Sequence, residues 1–184
     1  GLVAVDRFDD QSRFRLDAEF VRDNALAISG LLVRKVGGPS VKPYQPAGYW
    51  ENLNFPTREW ENDNGPDQWR RGLYTWWQRT FLQPMMANFD APSREECTAL
   101  RTVSNTPQQA LTLLNDPTFM EASRLFASRI CAAKASSDAE RINFAFQRAL
   151  ARSAKPAELE SLEKFLTAQR AHYSEQADDT KKLL

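Results

Sequence analysis

From Asp17 to Ser29 the apolar residues Ala18, Val21, Ala25 and Ile28, continued by Leu32, recur at spacings of three and four. Phe20 lies beside them, and the pattern predicts an amphipathic helix whose stripe packs into the core. Asp17 and Glu19 suit the positive N-terminal end of such a helix, and Gly30 ends it. A second pattern opens at Pro66: Trp69, Leu73, Trp76, Trp77, Thr80 and Phe81 share one helical face as far as Pro84, which predicts a helix with its tryptophans turned inward. Ser93 with Glu96 has the form of a capping box before a short helix containing Cys97.

Four further helix starts follow. Thr106-Pro107-Gln108-Gln109 is a capping box with proline in the first turn, ahead of Ala110, Leu111, Leu113 and Leu114. Asp116-Pro117 leads into Phe119, Ala122, Phe126, Ile130 and Ala133, and Ser137 with Glu140 into Ile142, Phe146, Ala149 and Leu150. Pro156 starts the last, with Leu159, Leu162, Phe165, Leu166, Gln169 and Tyr173 on one face. The polar stretch 174–184 is expected to fray.

Between these periodic segments the character changes. Gly37 to Gly48 holds three prolines and several glycines, which rule out a regular helix. Val41, Tyr44, Tyr49 and Trp50 give it apolar anchors, so it reads as an ordered loop laid across the helical body. Trp50–Phe55 and Arg58–Asn62, on either side of Pro56, are compatible with one small β-hairpin. The fold class is therefore mostly α: about six helices in a single domain over 1–184, with long ordered Pro/Gly-rich loops and an arm at 37–65.

A length of 184 residues suits one domain whose core needs no metal or disulfide staple. Lys+Arg and Asp+Glu number 24 each, so no overall field draws in nucleic acid, and no apolar run approaches a membrane span. Cys97 and Cys131 are too few for a disulfide framework, and unpaired thiols are expected. His172 is the sole histidine and has no partners at metal spacing, Cys-x-x-Cys-His is absent, and no nucleophile elbow or phosphate loop occurs. No catalytic motif is recognisable, and neither metal nor cofactor is expected.

One constellation carries chemistry. Arg70, Arg71 and Arg79 sit among Trp69, Tyr74, Trp76 and Trp77, with Arg94 and Arg101 following, and four of the five tryptophans lie between Trp60 and Trp77. Guanidinium groups stack on such rings and fork onto carboxylates, sulfates or phosphates. Lys42, Tyr44, Arg70, Arg71, Tyr74, Trp77, Arg79, Asp90, Arg94 and Arg101 thus form a candidate surface for an anionic or polysaccharide ligand. In the competing, structural reading the same arginines bridge Asp90 and the backbone carbonyls around Pro43 to Pro46. Exposure separates the two: an open cleft favours binding, and burial with mutual pairing favours structure.

Several strings carry a family resemblance. They include Arg15-Leu16-Asp17-Ala18-Glu19, Arg22-Asp23, Ile28-Ser29-Gly30-Leu31-Leu32 and Gly37-Gly38-Pro39-Ser40-Val41-Lys42-Pro43-Tyr44-Gln45-Pro46. Further on come Arg70-Arg71, Leu73-Tyr74-Thr75, Trp77, Arg79-Thr80, Met85-Met86, Phe89-Asp90-Ala91-Pro92, Arg94 and Cys97, then Asn105-Thr106-Pro107, Gln109-Ala110-Leu111 and Leu113-Leu114-Asn115-Asp116-Pro117. Over about residues 13 to 170 the chain resembles the planctomycete-specific PSD-one domain, a family of unknown function. The resemblance implies an exported bacterial protein in which this domain follows a cytochrome-c-like module and a second planctomycete-specific domain, sometimes with carbohydrate-binding modules. It brings no catalytic residues. The partners it implies are companion domains of the same polypeptide, with carbohydrate as a further candidate, and the role it favours is structural docking. Two departures stand out. Members are often more basic between Cys97 and Asn105, where this chain keeps Arg101 alone, and they tend to continue into another apolar helix beyond Lys182-Leu183-Leu184. The second departure makes a piece of a larger protein the expectation.

Overall fold

The computed structural model describes residues 15–49, 59–78 and 82–176. Six α-helices appear in them: α1 (Ala18–Ser29), α2 (Pro84–Asn88), α3 (Pro107–Asn115), α4 (Pro117–Cys131), α5 (Asp138–Leu150) and α6 (Pro156–Glu175). Two short 3-10 turns, Pro66–Trp69 and Gly72–Tyr74, lie between α1 and α2. The fold is mostly α, and among the described residues no sheet forms. Two isolated parallel bridges pair described residues, Val33 with Arg70 and Val41 with Thr75. The stretch 50–58 of the expected hairpin lies outside the described residues, and Glu59–Asn62 is not a strand. α6 continues through Ser174 to Glu175 rather than fraying there, and 177–184 lie outside the described residues. The described residues fall into two compact units that divide after Ala127.

In the first unit α1 starts and stops where the sequence places it, with Gly30 in the left-handed conformation (φ 86°) and its N–H on Leu26 O. Its inward face is rotated from the apolar stripe, however: the buried side chains are Ala18, Arg22, Asp23, Leu26 and Ser29, while Phe20 is exposed. The core joins Ala18 to Met85, Met86, Phe89, Ala91 and Phe119, with Val21, Ala25 and Trp77 against it and Phe89 edge-on to Phe119 at 6.4 Å. α2 is short and has a side-chain cap, the Oε1 of buried Gln83 accepting from Met86 N–H at 2.8 Å. At α3 the Gln109 side chain accepts from Thr106 N–H at 3.3 Å, which is the reciprocal arm of the expected capping box. Asp116 Oδ1 accepts from Thr118 N–H at 2.8 Å and opens α4.

The second unit holds α5 and α6. Ser137 caps α5 by accepting from Glu140 N–H at 3.3 Å, and the Glu140 carboxylate reaches back to Ser136 N–H at 2.7 Å. Arg152 forks onto Glu158 with both contacts at 2.8 Å, and Arg170 forks onto Asp138.

Two helices expected from the sequence are replaced. Over the described residues 66–78 the chain forms the two 3-10 turns and no α-helix, with Leu73 exposed. Parallel pairing wins there: Val33 N–H donates to Trp69 O at 3.1 Å, Val41 N–H to Tyr74 O at 2.8 Å and Trp76 N–H to Val41 O at 2.6 Å. Gly72, in the second turn of the would-be helix, also lowers helix propensity. Ser93–Cys97 is a bend instead of a helix: Arg94 takes a left-handed conformation (φ 62°), and Ser93 Oγ accepts from Glu95 N–H at 3.4 Å.

Candidate functional site

The segment 68–76 is gripped from one side by α1. Arg22, almost wholly buried, donates to Arg70 O and Gln68 O, both at 2.5 Å. Burial pushes its guanidinium down to about 10, against the raising pull of Asp23 and Asp116, so it stays charged at neutral pH. Asp23 accepts from Gly72 N–H at 2.6 Å and from Arg71 Nε at 3.1 Å. A side chain at Gly72 has no room, since a Cβ would meet Glu19 Cα and Met86 Cε at 3.0 Å each.

On the other side the same segment grips the loop before Val41. Arg70 is 1% exposed and donates to Pro39 O and Gly37 O at 2.5 Å and to Lys35 O at 3.3 Å. Its guanidinium stacks on the Tyr74 ring at 3.9 Å, and Tyr74 Oη accepts from Gly37 N–H at 2.8 Å. One arginine and one tyrosine thus hold the loop at residues 35, 37 and 39 through backbone atoms alone. Past this point Val41, Pro43 and Gln45 are the buried anchors, and Tyr44 is partly exposed. The Tyr44 carbonyl accepts from Gln83 Nε2 at 3.1 Å, so Tyr44 is held through its main chain.

The other candidates disperse into separate contacts. Lys42 Nζ lies 5.7 Å from the Trp60 ring and 5.6 Å from the Trp76 ring, with the two indoles 5.5 Å apart. Arg94 covers the Trp77 ring at 4.1 Å, and Trp77 Nε1 donates to Ser93 O at 2.9 Å. Arg101 forks onto Glu19 at 2.7 and 3.2 Å, with Asp17 at 3.6 Å. Burial alone would raise the Glu19 carboxyl, but the hydrogen bond and charge of Arg101 leave it lowered overall. Arg79 lies outside the described residues.

Asp90 does not meet Arg70 or Arg71. Its left-handed backbone (φ 61°) turns the carboxylate toward Arg15, Ser104 N–H at 2.8 Å and Ser104 Oγ at 2.7 Å. Burial opposes ionisation, yet these donors outweigh it and hold the carboxyl below its ordinary value. Gln109 completes the network, accepting from Arg15 at 3.0 Å and donating to Ser104 O at 3.3 Å and Ser104 Oγ at 3.2 Å. The expected reach of the arginines to Asp90 and to the Pro43–Pro46 carbonyls is therefore corrected. Without an α-helix over 66–78, Arg70 faces the 35–39 loop and Arg71 faces α1.

The residues missed from sequence are Arg15, Glu19, Arg22, Asp23, Ser104 and Gln109. The available signal was the Arg22-Asp23 pair inside an otherwise amphipathic helix, which had to be either exposed or matched by a buried partner. Both thiols, Cys97 and Cys131, are exposed and unpaired. Among the described residues no group of three or more His, Cys, Asp and Glu is placed to hold a metal ion, and no helix is long and apolar enough to cross a membrane.

Fold and contacts together define an all-α domain whose ordered loops are clamped by arginines on backbone carbonyls. The chain belongs to the PSD1 family, described as a protein of unknown function (DUF1553), whose model matches residues 5–166. No curated protein and no solved structure matches it.

Proposed function

We propose that this chain is a non-catalytic structural and interaction domain that docks companion domains of an exported planctomycete protein, including a cytochrome-c-like module. What supports this reading is the internal use of the charged cluster. The guanidinium groups of Arg70, Arg71 and Arg101 are engaged by the protein's own carbonyls and carboxylates, so they do not converge on a ligand. Side chains suited to dry contact are displayed instead, among them Leu111, Leu114 and Met120 on α3 and α4.

The test is to mix this domain with the cytochrome-c-like module of its own polypeptide, expressed separately, and follow amide hydrogen exchange. Protection over Leu111–Met120 on mixing is expected; no binding and no protection would reject docking. In a second arm, Arg70→Gln should lower stability by about 3 kcal/mol, since buried carbonyls lose their donors at about 1–3 kcal/mol each. Glycan binding should not change.

Binding of an anionic polysaccharide keeps one specific support. Arg94 is exposed, makes no ion pair among the described residues and rests on the Trp77 ring. Arg94→Gln with an unchanged melting temperature and a lost affinity for sulfated or carboxylated glycans would establish this second reading in place of the first.

A further inference from the structure

In the unit before Ala127, and away from the arginine–aromatic cluster, a cleft of about 350 Å³ is lined by Tyr44, α2, α3 and the start of α4. That volume falls within the range of small-molecule sites, about 300–1,000 Å³. The Tyr44 ring, Pro84 and Leu111 supply apolar wall, and Asn88, Asn115 and Asp116 are among its polar groups. Among the described residues that line it there is no Lys, Arg or His.

The polar groups are held in place. Asn88 Nδ2 donates to Thr112 Oγ1 at 2.9 Å, and Asn115 Nδ2 donates to Leu111 O at 2.8 Å. One N–H of each amide is tied to the protein, and neither Oδ1 accepts a hydrogen bond among the described residues. Asp116 makes no ion pair among the described residues; its Oδ1 accepts from Thr118 N–H at 2.8 Å. Burial holds this carboxyl above its ordinary value, against hydrogen bonds from Thr118 and Phe119 and the more distant charge of Arg22.

We propose that this cleft binds a primary ammonium group on an apolar stem, the ammonium at Asp116 and the stem against Tyr44 and Leu111. An anion finds no cation there. A guanidinium fork finds no free bidentate carboxylate, because Asp116 Oδ1 is already engaged. Separate acceptors on Asn88, Asn115 and Asp116 suit the three divergent N–H groups of an ammonium. Two sources offer this chemistry, a free alkylamine and a lysine side chain of a protein segment. The cleft shares Tyr44 with the candidate surface and Leu111 with the apolar docking face, but amine binding there is read independently of docking.

The test is an NMR titration of the ¹⁵N-labelled chain with N-acetyl-lysine methylamide, with cadaverine, and with the neutral isostere N-acetyl-norleucine methylamide. Saturable shifts confined to residues 44–46, 83–88 and 108–117 are expected, with at least one amine bound about tenfold more tightly than the isostere. Tighter binding of the lysine derivative identifies a protein segment as the source, and tighter cadaverine binding a free amine. Asp116→Asn keeps a good helix cap and should abolish the preference. Asn115→Lys, at an exposed position, should do the same by placing an ammonium in the cleft. Equal affinity for the isostere, shifts elsewhere, no saturable shift, or a preference that survives both substitutions would overturn the proposal.

Discussion

Asp90 combines a left-handed backbone, a carboxylate shared by Arg15 and Ser104, and a place beside the Phe89–Phe119 contact. Asparagine tolerates that backbone and keeps an acceptor for Ser104 N–H, so Asp90→Asn isolates the charge. The expected loss is about 1–3 kcal/mol, read as a lower denaturation midpoint with an unchanged slope. Glu158 offers a contrasting case at the surface. The fork from Arg152, with help from Lys155 N–H, lowers its carboxyl to about 2. A carboxylate lowered on folding stabilises above its unfolded value, and the contribution fades as pH falls through the folded one. The Glu158 side chain should therefore titrate near pH 2 by NMR, and Arg152→Gln should move its midpoint up toward the ordinary carboxylate range. A midpoint already near 4.5 in the unaltered chain would remove the pair from the account of α6.

Among the elements, α1, α3, α4, α5 and α6 were legible because proline, capping side chains and glycine mark their ends. Each of those signals acts within one turn of chain, so no tertiary information is needed to read it. The stretch 66–84 misled because tryptophans spaced for a helix also suit an extended strand that packs on two sides. What decided it was Val33 and Val41, about 35 residues upstream, pairing with Arg70 and Thr75. Sequence periodicity carries no record of such partners. The rotation of α1 has the same origin: Arg22 and Asp23 turn inward because segment 68–72 presents two carbonyls and an N–H to them. Gly72 lets that segment approach closely. Gly72→Ala should force α1 away by a few tenths of an ångström or more and cost about 1–3 kcal/mol, against under 0.5 kcal/mol at an exposed control such as Ser40→Ala. Equal melting temperatures for the two variants would show that the contact is loose.

For the molecule as a whole, the arginine–aromatic cluster was legible as a place but not as a role. Composition located Arg70, Tyr74 and Trp77, yet the choice between ligand and scaffold rested on loop carbonyls, which every residue possesses and no sequence pattern displays. The grip of Arg70 on Lys35, Gly37 and Pro39 touches only main-chain oxygen, and so it is blind to the identity of most side chains it passes. Spacing is another matter. Val36 is 89% exposed and should accept almost any replacement, whereas one alanine inserted between Val36 and Gly37 moves two carbonyls out of reach of a fixed guanidinium. Thermal melts should rank the insertion well below Val36→Asp, and limited proteolysis should nick the inserted loop first. A chain built on this clamp can change the side chain at Val36, but it must keep the loop's length to the residue and glycine at the left-handed positions 37 and 38.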